Sequence, residues 1–248
     1  MTSDHFFVRK NQIASTSAIL QGEEHHHLAR VARIQPGARI CLLDEEGTNY
    51  IAEIVAVERE RTRLNILESR IQEKPAFRLT LAPALLKSKN MEIVIQKSTE
   101  LGVQLIIPVI ASRSVVRLDE KSEKKVGRWQ RIAREAAKQS KSPIVPSVLP
   151  PRPLRNLVEG RDEDLKLYLS ENKGGPLRDI IIERCQSAAG APPASVLIVV
   201  GPEGGWAGEE EELMLDHGFR GVSLGTRILR AETAALCAAA VISQFWGL

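Results

Sequence analysis

Two stretches in the C-terminal third place residues capable of chemistry at the ends of apolar runs. The first, from Ser195 to Glu212, reads SVLIVVGPEGGWAGEEEE. Its uncharged run predicts a strand buried on both faces, and the glycines behind it predict a tight turn into a helix. Ligands of open α/β sheets bind at such a strand end. The spacing matches neither GxGxxG nor GxxxxGK[ST], the two common nucleotide fingerprints. Glu209, Glu210, Glu211 and Glu212 crowd the first turn of the helix, where they complement its dipole and repel a phosphate seeking the same amide groups. A ligand that uses backbone amides without phosphates, such as an adenosine attached to a sulfonium, suits the turn better. A plain β-to-α turn also accounts for GPEGG taken alone.

The second stretch, from Gly221 to Ile242, reads GVSLGTRILRAETAALCAAAVI. Gly225 permits unusual dihedrals, and Arg227, Arg230, Glu232 and Thr233 fall at the junction between strand end and helix. The helix interior is nearly all Ala, Leu, Val and Ile, which demands burial in the sheet, against a partner subunit, or both. A surface ion pair worth under about 1 kcal/mol is the plainer role for Arg230 and Glu232.

A third stretch, residues 120–142, is basic. Lys121, Lys124, Lys125, Arg128, Arg131, Arg134, Lys138 and Lys141 accompany an apolar stripe of Val126, Trp129, Ile132, Ala133, Ala136 and Ala137 at helical spacing. With Lys87, Lys89, Arg113 and Arg117 they would form a surface suited to a phosphate backbone, the alternative being a solvated charged face. Charge is segregated accordingly. Lys and Arg number 9 against 10 Asp and Glu in residues 1–72, 15 against 7 in 73–142, and 10 against 14 in 143–248.

Other constellations are weaker. Adjacent His25, His26 and His27 point in different directions on a helix and find no companion ligands, so no metal site is expected and a structural or RNA-contacting role is. There is no GxSxG elbow. Cys41, Cys185 and Cys237 fit neither a disulfide framework nor a CxxC site and are expected to be reduced, buried and inert.

These segments need elements to hold them. The chain has 248 residues, 43% hydrophobic and 26% charged, enough for two modest domains. Arg39–Leu43, Tyr50–Val57 and Arg63–Leu67 predict strands, with a helix over Glu23–Arg33, so residues 1–72 read as a small barrel or curled sheet. From Phe77 strands and helices alternate, which predicts a parallel sheet over 73–248. Its expected strands include 77–85, 103–110, 165–169, 195–200 and 221–224. Its expected helices include 91–101, 120–140, 177–187, 209–217 and 232–245. No apolar run approaches the roughly 20 residues that span a bilayer, and the start MTSDHFFVRKNQ lacks a signal peptide's apolar core, so a cytoplasmic location is expected.

Taken together, HLARVARIQPG (27–37), KSTELGVQLIIPV (97–109), REAAKQS (134–140) with Pro146, GPEGG (201–205) and LGTRILRAETAAL (224–236) resemble the RsmE family, SPOUT-class methyltransferases acting on N3 of a uridine in 16S ribosomal RNA. The resemblance implies a PUA-like RNA-binding β-barrel followed by an α/β domain ending in a deep trefoil knot. It also implies S-adenosyl-L-methionine in the knot, the small ribosomal subunit as substrate, and a homodimer packed through the knot helices. By motif position the cofactor site would include Leu169, Gly201, Glu203, Gly204, Leu224, Gly225, Ile228, Leu229 and Thr233. Arg30 and Arg33 match the family's barrel arginines, and Lys87, Arg113 and Lys141 join them as expected RNA contacts. Where the family often has Gln-Ser/Cys-x-Arg, the chain reads Gln139-Ser140-Lys141-Ser142. Arg230 is the leading candidate for stabilising the anionic nucleobase, with Glu232 or Glu203 as base or as the group positioning Arg230. Two rival readings are a related SPOUT enzyme acting on tRNA or a ribose hydroxyl, and a non-catalytic RNA-binding protein with a vestigial pocket.

Overall fold

The computed structural model describes residues 5–44, 47–71, 77–114, 122–142, 144–171, 173–186 and 193–246. The chain separates into two units, Met1–Lys74 with Lys138–Ile144, and Pro75–Ala137 with Val145–Leu248. The boundary expected between 72 and 73 lies outside the described residues.

In the first unit, β1 (His5–Phe7), β2 (Ser17–Gln21), β3 (Arg39–Leu43), β4 (Thr48–Val57) and β5 (Arg61–Ile71) form a sheet in the order β1-β3-β4-β5-β2. Only the β1–β3 pair is parallel. Alternation along the strands turns Phe6, Leu20, Ile40, Leu42, Ile54 and Leu64 into one core with Leu28. The expected helix begins as α1 (Gly22–His26) and continues as a π-helical turn, His27–Val31, after which Arg33 takes a left-handed φ of 51°. His25 is buried, its Nδ1 2.8 Å from Thr62 Oγ1, which is a structural role. Lys138 is ion-paired with Glu24, and its Nζ lies 5.6 Å from the centre of the Phe7 ring.

In the second unit, β6 (Arg78–Pro83), β7 (Leu105–Ile106), β9 (Ser147–Val148), β11 (Leu165–Leu169), β12 (Gly175–Pro176), β13 (Ser195–Val200) and β14 (Arg220–Ser223) form a parallel sheet. Its order is β12-β14-β11-β13-β6-β7-β9. Strand β13 is buried along its whole length because its side chains feed two cores. Val196, Ile198 and Val200 meet the helices α2 (Ser88–Glu100), α3 (Ser122–Ser140), α5 (Leu177–Gln186) and α7 (Ala231–Trp246). Leu197 and Val199 meet α4 (Leu154–Val158) and α6 (Gly208–Asp216) on the other face. Each such side chain contributes about 1.5–3 kcal/mol on burial. This is an α/β fold.

Three expectations change. The single strand expected over 103–110 is interrupted at Ile107–Pro108: β7 pairs with β6 and β9, while β8 (Val109–Ile110) pairs with β10 (Arg152–Pro153). Proline lacks the N–H that a continuous ladder would need. Cys185 and Cys237 are exposed and Cys41 half-buried, because the first two stand on outward faces of α5 and α7. On α3, Arg128 is committed to Glu92, with Nε 2.9 Å and Nη2 3.0 Å from its carboxylate, and Lys138 to Glu24, so neither is a free phosphate ligand. Lys121 and Arg117 lie outside the described residues.

Beyond β11 the chain turns at Gly174, φ 97°, and passes so close to β14 that a Cβ there would stand 1.9 Å from the Gly221 carbonyl oxygen. Among the described residues no helix is long and apolar enough to cross a membrane, and no cluster of three His, Cys, Asp or Glu side chains could hold a metal ion.

Candidate functional site

Parallel strands all point their carboxyl ends the same way, so the loops leaving β11, β13 and β14 converge on one edge of the sheet. A cavity of about 570 Å³ opens there, within the size range of small-molecule sites. Leu169 comes from the end of β11, Gly201, Glu203 and Gly204 from the loop after β13, and Leu224, Gly225, Ile228, Leu229 and Arg230 from the loop after β14. All of these were expected from the sequence. Thr233 and Glu232 are not among the lining residues; they stand on the first turn of α7, where Glu232 Oε2 is buried without a hydrogen-bond partner. No Arg230–Glu232 ion pair forms among the described residues.

Side-chain hydrogen bonds hold the three loops in place. The Trp206 indole N–H donates to the Leu169 carbonyl oxygen at 2.9 Å, linking the ends of β13 and β11. Glu211 accepts from the Ser170 hydroxyl at 2.9 Å and pairs with the Lys173 ammonium at 2.9 Å. That carboxylate holds the Lys173 pKa above its ordinary value. Arg113 Nη1 donates to the Gly204 carbonyl at 3.1 Å. Beside it, Ser112 donates its backbone N–H and its hydroxyl to Glu210 at 2.8 and 2.9 Å. Glu210 also accepts the Ala207 N–H at 3.0 Å and so caps α6. Two of the four clustered glutamates therefore fasten loops as well as complementing a helix dipole.

Gly225 has φ 130°, a conformation that L side chains rarely adopt. A Cβ on Gly201 would press on the Trp206 ring at 3.1 Å, and one on Gly204 would stand 3.3 Å from Arg113 Cβ. The cavity wall thus presents bare backbone flanked by Glu171, Glu203 and Glu211 and by Arg113, Arg227 and Arg230.

Arg113, expected at the RNA surface, lines this cavity. Lys87 is exposed just before α2, and Arg30, Arg33 and Lys141 are exposed in the first unit; none of the four lines the cavity. Ser170 and Trp206 were not singled out in the sequence, and Glu211 was read there only as one of the glutamates at the start of a helix. An indole directly behind a glycine turn was the available signal for Trp206, since a buried indole needs an acceptor for its N–H.

Family models for an RNA methyltransferase domain and an RNA methyltransferase PUA domain match residues 72–243 and 20–67. The chain is 34% identical over 227 residues to ribosomal RNA small subunit methyltransferase E of Bacillus subtilis, covering 90% of this chain and 88% of that one. The chain belongs to the RsmE family. The Aquifex aeolicus member is 28% identical, with 97% of this chain and all of that one covered. A crystal structure of an RsmE protein from Neisseria gonorrhoeae bound to S-adenosyl methionine superposes with a TM-score of 0.85 at 33% identity, covering 98% of each chain.

Proposed function

We propose that this protein transfers a methyl group from S-adenosyl-L-methionine to N3 of a uridine in the 16S RNA of the small ribosomal subunit. The single observation that carries the reading is the cavity at the ends of β11, β13 and β14 in a member of the RsmE family. Its features fit the methyl donor. The volume of about 570 Å³ suits a nucleoside with an amino-acid tail, and the walls combine bare backbone with carboxylates and guanidiniums for a ligand bearing both charges. The glutamates at the start of α6 disfavour phosphate.

Leu169, Gly201, Glu203, Gly204, Leu224, Gly225, Ile228 and Leu229 would hold the cofactor, with Thr233 nearby on α7. When bound, it supplies an electrophilic methyl group on sulfur. Uracil N3 carries a proton at neutral pH, so the protein must favour the imidate before the new N–C bond can form. Arg230, exposed at the cavity wall, would set a guanidinium beside that developing negative charge. Glu203, in the same wall, or Glu232, on the first turn of α7, would take the N3 proton or position Arg230.

Residues 1–72 would serve as a PUA-like barrel that brings RNA through Arg30 and Arg33, with Lys87, Arg113 and Lys141 contributing from residues 73–248. A C-terminal trefoil knot would involve the loop after β14, which forms a cavity wall, and α7, which packs against α2, β6 and β13. Pairing of two copies would cover apolar side chains that stand exposed near the two ends of α7, Ile228 at 77% and Phe245 at 61%. The cytoplasm, where ribosomes are assembled, would be its compartment. Mass spectrometry of ribosomal RNA from cells lacking the protein tests the reading. Loss of one N3-methyluridine from 16S RNA is expected, and an unchanged modification profile would refute it.

A further inference from the structure

We propose that Trp206 is a positioning residue that sets the gap between the two strand ends of the cofactor cradle, an inference that rests on the methyl-donor reading above. Trp206 is 8% exposed and belongs to the apolar cluster containing Leu197, Val199 and Met214, so its ring is anchored from below the cavity. From that anchor it makes two different contacts. Its N–H, a donor with no acceptor capacity, binds the carbonyl of Leu169 at the last residue of β11. Its ring lies against Gly201, just beyond β13, closely enough that a Cβ at 201 would be 3.1 Å from Cε2 and Nε1. Leu169 and Gly201 both line the cavity, as does Trp206 itself.

One rigid side chain therefore fixes the direction of a carbonyl in one wall and the approach of the backbone in the other. A cradle held in this way before its ligand arrives loses less ordering free energy on binding, which appears as affinity. Phenylalanine keeps a smaller aromatic ring in the same apolar surroundings but donates no hydrogen bond, so W206F removes the tie to Leu169 while keeping the anchor. Alanine at Gly201 acts on the other contact by pushing the ring from its seat.

The experiment is calorimetric titration of the full-length protein with S-adenosylhomocysteine, accompanied by melting curves without ligand. W206F is expected to weaken binding by about three- to tenfold, the worth of one net hydrogen bond. G201A is expected to weaken it more in the wild-type background than in W206F, because the smaller ring leaves room for the methyl. A W206F protein that melts lower yet binds as tightly as wild type would overturn the proposal, since a purely structural side chain behaves that way. If W206F does not fold, G201A decides through affinity read together with the Trp206 indole N–H resonance of the ligand-free protein: weakened affinity with a shifted resonance upholds the proposal, while unchanged affinity, or weakened affinity with an unmoved resonance, overturns it. Failure of the wild-type protein to bind would overturn the methyl-donor reading and this inference together.

Discussion

Arg113 and Gly204, 91 residues apart in the chain, are joined by a hydrogen bond of 3.1 Å from the guanidinium to the glycine carbonyl. The bond fastens the loop after β8 to the glycine turn after β13, beside the clasp between Ser112 and Glu210. Arg113→Ala should raise KM for the methyl donor by about three- to tenfold through a loosened turn. Arg113→Lys should recover only part of the loss, because an ammonium lacks the planar fork. Steady-state kinetics with each substrate varied separately would check this, and a change confined to KM for RNA would leave Arg113 with its RNA contact alone.

Arg230→Ala should lower kcat by about a hundredfold, the cost of losing one preorganised group that stabilises developing charge. Cofactor affinity should move far less. Single-turnover methylation of 30S subunits, with calorimetry for the cofactor, separates the two quantities. An unchanged methylation rate would reject the assignment.

Replacing both Arg30 and Arg33 with alanine should weaken RNA binding and flatten its salt dependence. The slope of log K against log salt should fall by about 0.7 for each phosphate contact removed from single-stranded RNA. Filter binding across a salt series measures it, and an unaltered slope would show that neither side chain meets phosphate.

Lys138 and Glu24 form an ion pair whose side chains are only 9% and 19% exposed. Breaking a buried pair leaves a charge without compensation, so Lys138→Met should destabilise the protein by about 3 kcal/mol. Urea unfolding monitored by circular dichroism would register the shift, and an unchanged midpoint would mean that water already compensates Glu24.

Glu58 accepts from the Nε groups of Arg61 and Arg63, each at 2.7 Å, and these bonds hold its pKa below the ordinary 4.5. A carboxylate lowered by folding adds stability above its unfolded pKa and loses it as pH falls through the folded value. Carbon-13 NMR should therefore place the Glu58 midpoint below 4.5 and return it there in an R61A/R63A double variant. High salt should shrink the difference, since the pair sits at the surface.

Much of the second unit was legible because its signals are local. A strand such as SVLIVV, apolar at every position, has to be covered on both faces, and β13 feeds two cores. Helix α7 announced its burial through its alanines. The short strand β1 was not legible, since three residues carry too little alternation, and β2, SAILQ, was missed because only Ala18 to Leu20 are apolar within a polar stretch. The break at Pro108 was overlooked because a run of Val, Leu and Ile reads as continuous until the partner strands are known. The same limit applied to charge. Arg113, Arg128 and Lys138 read alike as cations on a basic segment, yet one binds a glycine carbonyl in the cavity wall and two are neutralised by Glu92 and Glu24. Only the fold brings those partners near.

Among the described glycines whose surroundings are known, Gly174 has the least freedom to change. A Cβ there would fall 1.9 Å from the Gly221 carbonyl oxygen, inside the neighbouring backbone. No rotamer relieves an overlap that begins at the first side-chain atom. In a saturation library grown under selection for function, codon 174 should return almost only glycine, while the neighbouring exposed Gly175, with open space around its own Cβ position, drifts.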